Sequence, residues 1–224
     1  MTHTLEDLLE ALEDVDDATR EEAAKALAEL GDPKTIDPLV SACSDDFWSV
    51  RAYAGCAVAK IGGPKALEAL VGLFNDPIME VRNQAVEATA KMGAVVVERM
   101  IAALKDERWR VREHAAKTCG EVRDKAAVDA LIAVCRDRDG AVKSAAAEAL
   151  GKIGDSKAVP ALLAFVAPGD LWLAIALVAL SNYFFGSGEN IVAAFVPELA
   201  EGHALGRVSR GKDGVPSVPA PTSL

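Results

Sequence analysis

Apolar residues recur through most of the chain at the spacing of one helix face, and short polar turns interrupt them at regular intervals. The clearest stretch is 141–153, where Val142, Ala146, Ala149, Leu150 and Ile153 share a stripe. Gly154 follows as the expected left-handed stop, where a side chain would clash. Asp155 and Ser156 then lead into a further helix predicted over 157–166. Equivalent first helices are predicted over 65–74, 95–105 and 125–135, each ahead of an Ala-rich partner. Neither member of such a pair hides its stripe alone. Stacking successive pairs buries the stripes as one continuous core.

The alternation has a fixed period. Val50-Arg51, Val81-Arg82, Val111-Arg112 and Val142-Lys143 recur, with Thr19-Arg20 as a weaker first copy. The basic positions lie 31, 31, 30 and 31 residues apart. An aspartate stands six residues before each: Asp14, Asp45, Asp76, Asp106 and Asp137. Eleven residues after each basic residue comes Gly31, Gly62, Gly93 or Gly154, with Arg123 in the fourth copy. Ala54, Ala85, Ala115 and Ala146 fill one repeat position, and Ala57, Ala88 and Ala149 another. Small side chains there let neighbouring helices approach closely. The Asp/Arg ladder places opposite charges at one height in every unit, able to bridge within and between copies. Arginine forks also suit turn carbonyls. Asp14, Arg20, Asp45, Arg51, Asp76, Arg82, Asp106, Arg112, Asp137 and Lys143 are therefore read as structural, not catalytic.

A turn Asp, Val-Arg, an Ala-rich helix and then Ile-Gly or Met-Gly resemble the short HEAT-like repeats named after the phycobilisome lyases. The resemblance is strong over residues 4–166 and weak over 167–200. It implies an all-α, right-handed α-α superhelix (solenoid) of helical hairpins, with the second helices lining the concave side. About six hairpins, the last irregular, and a partial unit are expected within residues 1–200. A disordered tail is expected over 201–224, where Pro216, Pro219 and Pro221 stand in a stretch without periodicity. The family includes chromophore lyases, adaptors and scaffolds, so the resemblance implies no single activity.

Positions one, two, five and nine after each basic residue break the apolar pattern and are expected on the concave side. They vary from copy to copy: Glu22, Tyr53, Gln84, His114 and Ala145; Lys25, Cys56, Glu87, Lys117 and Glu148; Glu29, Lys60, Lys91, Glu121 and Lys152. A further row, Trp48, Met79 and Trp109, stands at the start of the second helices, suited to packing or to anchoring a partner. The candidate contact patch is Trp48, Tyr53, Gln84, Trp109, Arg110, Glu113 and His114. The deoxyhypusine hydroxylases, another HEAT-repeat family, bind two irons through His-Glu pairs after Val-Arg. The corresponding pairs here are Ala52-Tyr53, Asn83-Gln84, Glu113-His114 and Ser144-Ala145. One reversed pair cannot assemble such a centre.

Composition narrows the function further. The formal charge is −10. Residues 1–32 carry eleven acidic and two basic side chains, a local −9, which leaves about −1 for the rest. No cationic face for phosphates is evident, so no nucleic-acid partner is expected. Cys43, Cys56, Cys119 and Cys135 show no C-x-x-C spacing and fall in apolar helical stretches, as core thiols of a cytoplasmic protein do. The opening residues are polar and acidic, unlike a secretory signal. The most apolar run, Leu171–Phe185, is shorter than a bilayer span of about 20 residues. Either a following half unit covers it, or it supports self-association. No phosphate-binding loop, nucleophile elbow, metal set or cofactor motif is present. The expected function is a non-enzymatic scaffold or adaptor for another protein, the alternative a bilin lyase-like assembly helper.

Overall fold

The computed structural model describes residues 4–163. Over that span every regular element is helical. In order these are α1 (Leu5–Ala11), α2 (Asp17–Leu30), α3 (Ile36–Ala42), α4 (Trp48–Ile61), α5 (Gly63–Leu73), α6 (Met79–Lys91), α7 (Val97–Ala103), α8 (Trp109–Val122), α9 (Val128–Val134), α10 (Gly140–Ile153) and α11 (Val159–Leu163). The even-numbered helices pack in sequence, α2 on α4 on α6 on α8 on α10, and α1, α3, α5, α7 and α9 each lie against the even-numbered helix that follows. The result is a two-layered stack of helical hairpins around one core. The expectations about Leu171–Phe185, the partial unit and the tail fall outside the described residues.

The repeated apolar positions build that core. Val50, Val81, Val111 and Val142 are fully buried, and so are or nearly are Ala54, Ala85, Ala115 and Ala146. Between them sit Leu27, Leu39, Leu70, Phe74, Met100, Leu131 and Leu150 from both layers. The small residues set the layer spacing. A Cβ built on Gly120 would lie 2.8 Å from the Cα of Ala149, so α8 and α10 meet almost backbone to backbone.

Three predicted first helices begin differently from expectation. The helices over 95–105, 125–135 and 157–166 each open with a 3-10 turn, at Gly93–Val96, Lys125–Ala127 and Ser156–Ala158. In the last two an aspartate side chain takes the amide two residues on, Asp124 from Ala126 and Asp155 from Lys157, each at 2.9 Å. That turn tightens the backbone to the i→i+3 pattern before the α-helix starts. At 62–64 the sequence is Gly-Gly-Pro, and α5 runs unbroken from Gly63. Three of the five helix stops follow expectation, whereas α4 ends on Gly62 with an extended ψ of −168° and α6 is capped by Met92, one residue before Gly93. Gly31, Arg123 and Gly154 end α2, α8 and α10 in the left-handed conformation, and Arg123, at φ 59°, is the one non-glycine with positive φ among the described residues.

The ladder bridges between copies only. Arg20 forks onto Asp45 (2.8 and 3.0 Å), Arg51 onto Asp76 (2.6 and 2.9 Å) and Arg112 onto Asp137 (2.7 and 2.9 Å). Within its own copy each of these arginines uses Nη1 to bind two turn carbonyls, as Arg51 does with Asp45 (2.8 Å) and Asp46 (3.0 Å). The aspartates also accept an amide of their own turn, Asp76 from Ile78 and Asp137 from Asp139, both at 2.8 Å. The Arg112 fork holds the Asp137 carboxyl below the usual carboxylate range. Burial alone would raise Asp45, but the fork of Arg20 and the Phe47 amide outweigh it and leave it low.

One rung is open. Arg82 keeps its bonds to the carbonyls of Asp76 (2.7 Å) and Pro77 (3.0 Å), but no carboxylate meets its outer edge. Asp106 is instead taken by Arg108, two residues on, through two 2.9 Å bonds. Among the five copies only the fourth has a cation at that position. The others carry Asp16, Phe47, Ile78 and Asp139.

Candidate binding face

The second-helix layer presents the copy-to-copy variation noted in the sequence, though not at every column expected. The columns five and nine residues after the basic position are on the surface. Lys25, Glu87, Glu148, Glu29, Lys60, Lys91 and Glu121 are exposed, and Cys56, Lys117 and Lys152 are half-buried. The column two residues after it turns progressively inward. Glu22 is exposed, Tyr53 and Gln84 are half-buried, Ala145 is buried, and His114 is 2% exposed.

His114 therefore corrects the expected patch. Its Nδ1 lies 2.7 Å from the Arg110 carbonyl oxygen, and its ring tilts against Phe74 with centroids 6.1 Å apart. Burial pushes its pKa below the ordinary histidine value, against the opposing pull of the Arg110 carbonyl and the Glu113 carboxylate. A partner cannot touch it. Inside the core it fills a gap beside a phenylalanine that a small residue would leave open.

The other candidates sit at two places. Trp48 and Trp109 are the first residues of α4 and α8, 40% and 39% exposed, with Met79 opening α6 in the same row. The Arg110 guanidinium lies over the Trp109 ring at 4.9 Å, a cation–π contact that fixes the indole at the surface. Glu113 is half-buried and binds Lys117 at 2.7 Å. Gln84 faces the Cys56 thiol at 4.0 Å, and Tyr53 packs partly against the core.

Two open grooves run along this face. One, of about 1090 Å³, lies between α4 and α6 and is also lined by Gly62 and the start of α5 at Gly63 and Pro64. Cys56, Ala59, Leu67, Met92 and Val95 line it with apolar surface, and Lys60, Gln84, Glu87 and Lys91 with polar groups. The other, of about 750 Å³, shares Glu87 and Lys91 and continues across α6, α8 and α10 past Lys117, Glu121, Glu148 and Lys152. Its charges alternate. Lys152 bridges Glu121 (2.8 Å) and Glu148 (2.6 Å), tying α8 to α10. Sequence reasoning placed Cys56, Lys60, Glu87 and Lys91 on the outward columns but left them out of the patch. Met92 entered only as part of the Met-Gly stop and Val95 as the start of a predicted first helix, so neither was read as part of the contact surface.

The chemistry of this face is that of contact. All four cysteines are free, and burial raises every thiol, Cys43 and Cys119 to about 12, so none has thiolate character at neutral pH. Among the described residues no group of three or more His, Cys, Asp or Glu could hold a metal ion. No helix among them is long and apolar enough to cross a membrane.

A family model described as HEAT repeats matches residues 5–93 and 97–181. No curated protein matches the chain. Among solved structures, a chain from the complex underlying microtubule plus end tracking by XMAP215, CLIP-170 and EB1 superposes with a TM-score of 0.59 at 17% identity, over 79% of this chain and 89% of that one. The complex of CpcE and CpcF of phycocyanin lyase from Nostoc sp. PCC7120 gives 0.48 at 20% identity, over 78% and 74%. Human deoxyhypusine hydroxylase gives 0.39 at 19% identity, over 82% and 85%. These are likenesses of fold.

Proposed function

The chain belongs to the HEAT-repeat family, and from that premise we propose that it is a non-enzymatic scaffold or adaptor that holds a protein partner along its second-helix layer. One observation carries this reading. The core valines and alanines repeat from copy to copy and three ladder rungs close in the same way, while the groove walls differ between copies and form an open, continuous strip of mixed apolar and charged surface. A stack whose only task was to fold would have no reason to diversify that strip alone. Gln84 and Glu113, with Trp48, Tyr53, Trp109 and Arg110 toward the helix starts, are the proposed contacts beside Lys91 and Lys117. The reduced, buried thiols suit a cytoplasmic setting.

The test is affinity purification from the native cell with the wild-type chain and with Lys91→Glu/Lys117→Glu. A stoichiometric protein partner retained by the first and lost by the second supports the reading. A partner retained by both overturns it.

A second reading, a bilin lyase-like helper, draws on the apolar groove beside Cys56, whose volume of about 1090 Å³ could hold a small ligand. An absorbance band on adding a bilin, abolished by Leu67→Arg in the groove, would favour it.

A further inference from the structure

The rung at Arg82 differs from the other three. In the three closed rungs the Nε and Nη2 edge of the arginine receives both oxygens of an aspartate from the next copy. At Arg82 the same fork is held in the same way from behind, by Nη1 on two carbonyls of its own turn. Its Nε is sealed from solvent without a hydrogen-bond partner, the one such side-chain atom among the described residues. A buried donor left unpaired costs free energy that a carboxylate would recover. The aspartate that would recover it, Asp106, is held by Arg108 through both oxygens.

The surroundings say what would occupy the seat. It lies where the turn 76–79 faces the turn 106–109. Those turns carry exposed apolar side chains, Pro77, Ile78, Met79 (55% exposed) and Trp109. Beside them stand the cations Arg82, Arg108 and, over the Trp109 ring, Arg110. Arg110 makes no ion pair among the described residues. The planar guanidinium fork matches a carboxylate in two-point fashion, as it does three times in the same stack.

We propose that this joint is a docking site for an acidic-hydrophobic segment of a protein partner, in which an Asp or Glu side chain completes the Arg82 rung and flanking apolar residues cover Met79 and Trp109. Arg108 keeps the seat open by holding Asp106 away from it. The site lies at the turn edge of the stack; it shares Trp109 and Arg110 with the proposed contact surface but none of the residues that line the two grooves.

The test uses the full chain and a fluorescein-labelled nonapeptide that alternates glutamate with leucine and phenylalanine, with a glutamine-for-glutamate peptide beside it. Binding is read by anisotropy. The glutamate peptide should bind the wild-type chain at least ten-fold more tightly than the glutamine peptide. Arg108→Gln frees Asp106 to close the rung, so it should weaken binding at least ten-fold while raising the urea midpoint. Because Arg108 is an exposed side chain, this variant folds where Arg82→Gln could fail. Lys91→Glu/Lys117→Glu should bind the peptide as the wild type does, which separates this site from the groove. No binding by the wild-type chain, equal binding of the two peptides, or equal binding by Arg108→Gln would each overturn the proposal.

Discussion

Replacing Arg51 by Met should destabilise the stack far more than the same replacement at Arg82, although the two occupy the same repeat position. Methionine keeps the stem and removes the fork. Arg51 gives up two bonds to Asp76 and two to turn carbonyls. It leaves behind a carboxylate that is 4% exposed and retains a single amide donor, that of Ile78. Breaking a buried pair from one side costs about 3–5 kcal/mol, because the surviving charge is left without a counterpart. The partial exposure of Arg51 places the expected loss near the bottom of that range, at about 3 kcal/mol. At Arg82 only the two carbonyl bonds are lost and no carboxylate is abandoned. The expected loss there is about 1–2 kcal/mol. Urea denaturation followed by far-UV circular dichroism reads the difference. Adding Asp76→Asn to Arg51→Met should return at least about 1 kcal/mol, since the abandoned charge is then gone. Equal losses for the two arginines, within about 0.5 kcal/mol, would show that the inter-copy fork contributes nothing and would refute the reasoning.

Other consequences are checked on the same denaturation curves. Gly120→Ala should cost about 1–3 kcal/mol, because its Cβ meets the Ala149 backbone, whereas Gly72→Ala, with open space around it, should gain about 0.5–1 kcal/mol. Arg123→Gly should gain up to about 1 kcal/mol, as relief of left-handed strain exceeds the added chain entropy. Asp137, Asp106 and Glu68 are each held low by an arginine, so the folded state binds fewer protons than the unfolded one as pH falls through about 4. Their stabilisation is full above that point and is lost below it, and the urea midpoint should fall accordingly. His114 is depressed by burial, so it adds a shallower loss as pH falls below about 6.5, which His114→Gln should remove.

Much of this was readable before any coordinates. The period, the Asp-to-Arg spacing and the stop glycines follow from a unit that must repeat its core and its turns, and even Arg123 was found at its proper place by counting. Three things were not readable. The column of Tyr53, Gln84 and His114 looked outward because its residues vary and are polar. A position on the flank of a helix can face its neighbour instead, and the buried Ala145 in the same column was the available warning. Two of the three 3-10 openings, at Lys125 and Ser156, rest on an aspartate side chain capturing an amide, which apolar periodicity does not encode. The open rung goes with Arg108 taking the aspartate and with a span from Arg82 to Asp106 one residue shorter than the 25 of the closed rungs. The signal was in plain view as Arg108, the single cation two residues after a ladder aspartate, but only distances show which arginine wins.

Because each fork reaches forward to the aspartate of the following copy, the joints are interchangeable by excision. Cutting out residues 45–75 would bring Asp76 into register with Arg20, one closed clasp in place of two. Cutting out residues 107–136 would remove Arg108 and set Asp137 at the 25-residue span of the closed rungs from Arg82. The shortened protein would thus have lost a whole hairpin and its apolar contacts, yet gained an unbroken seam from Arg20 to Asp137.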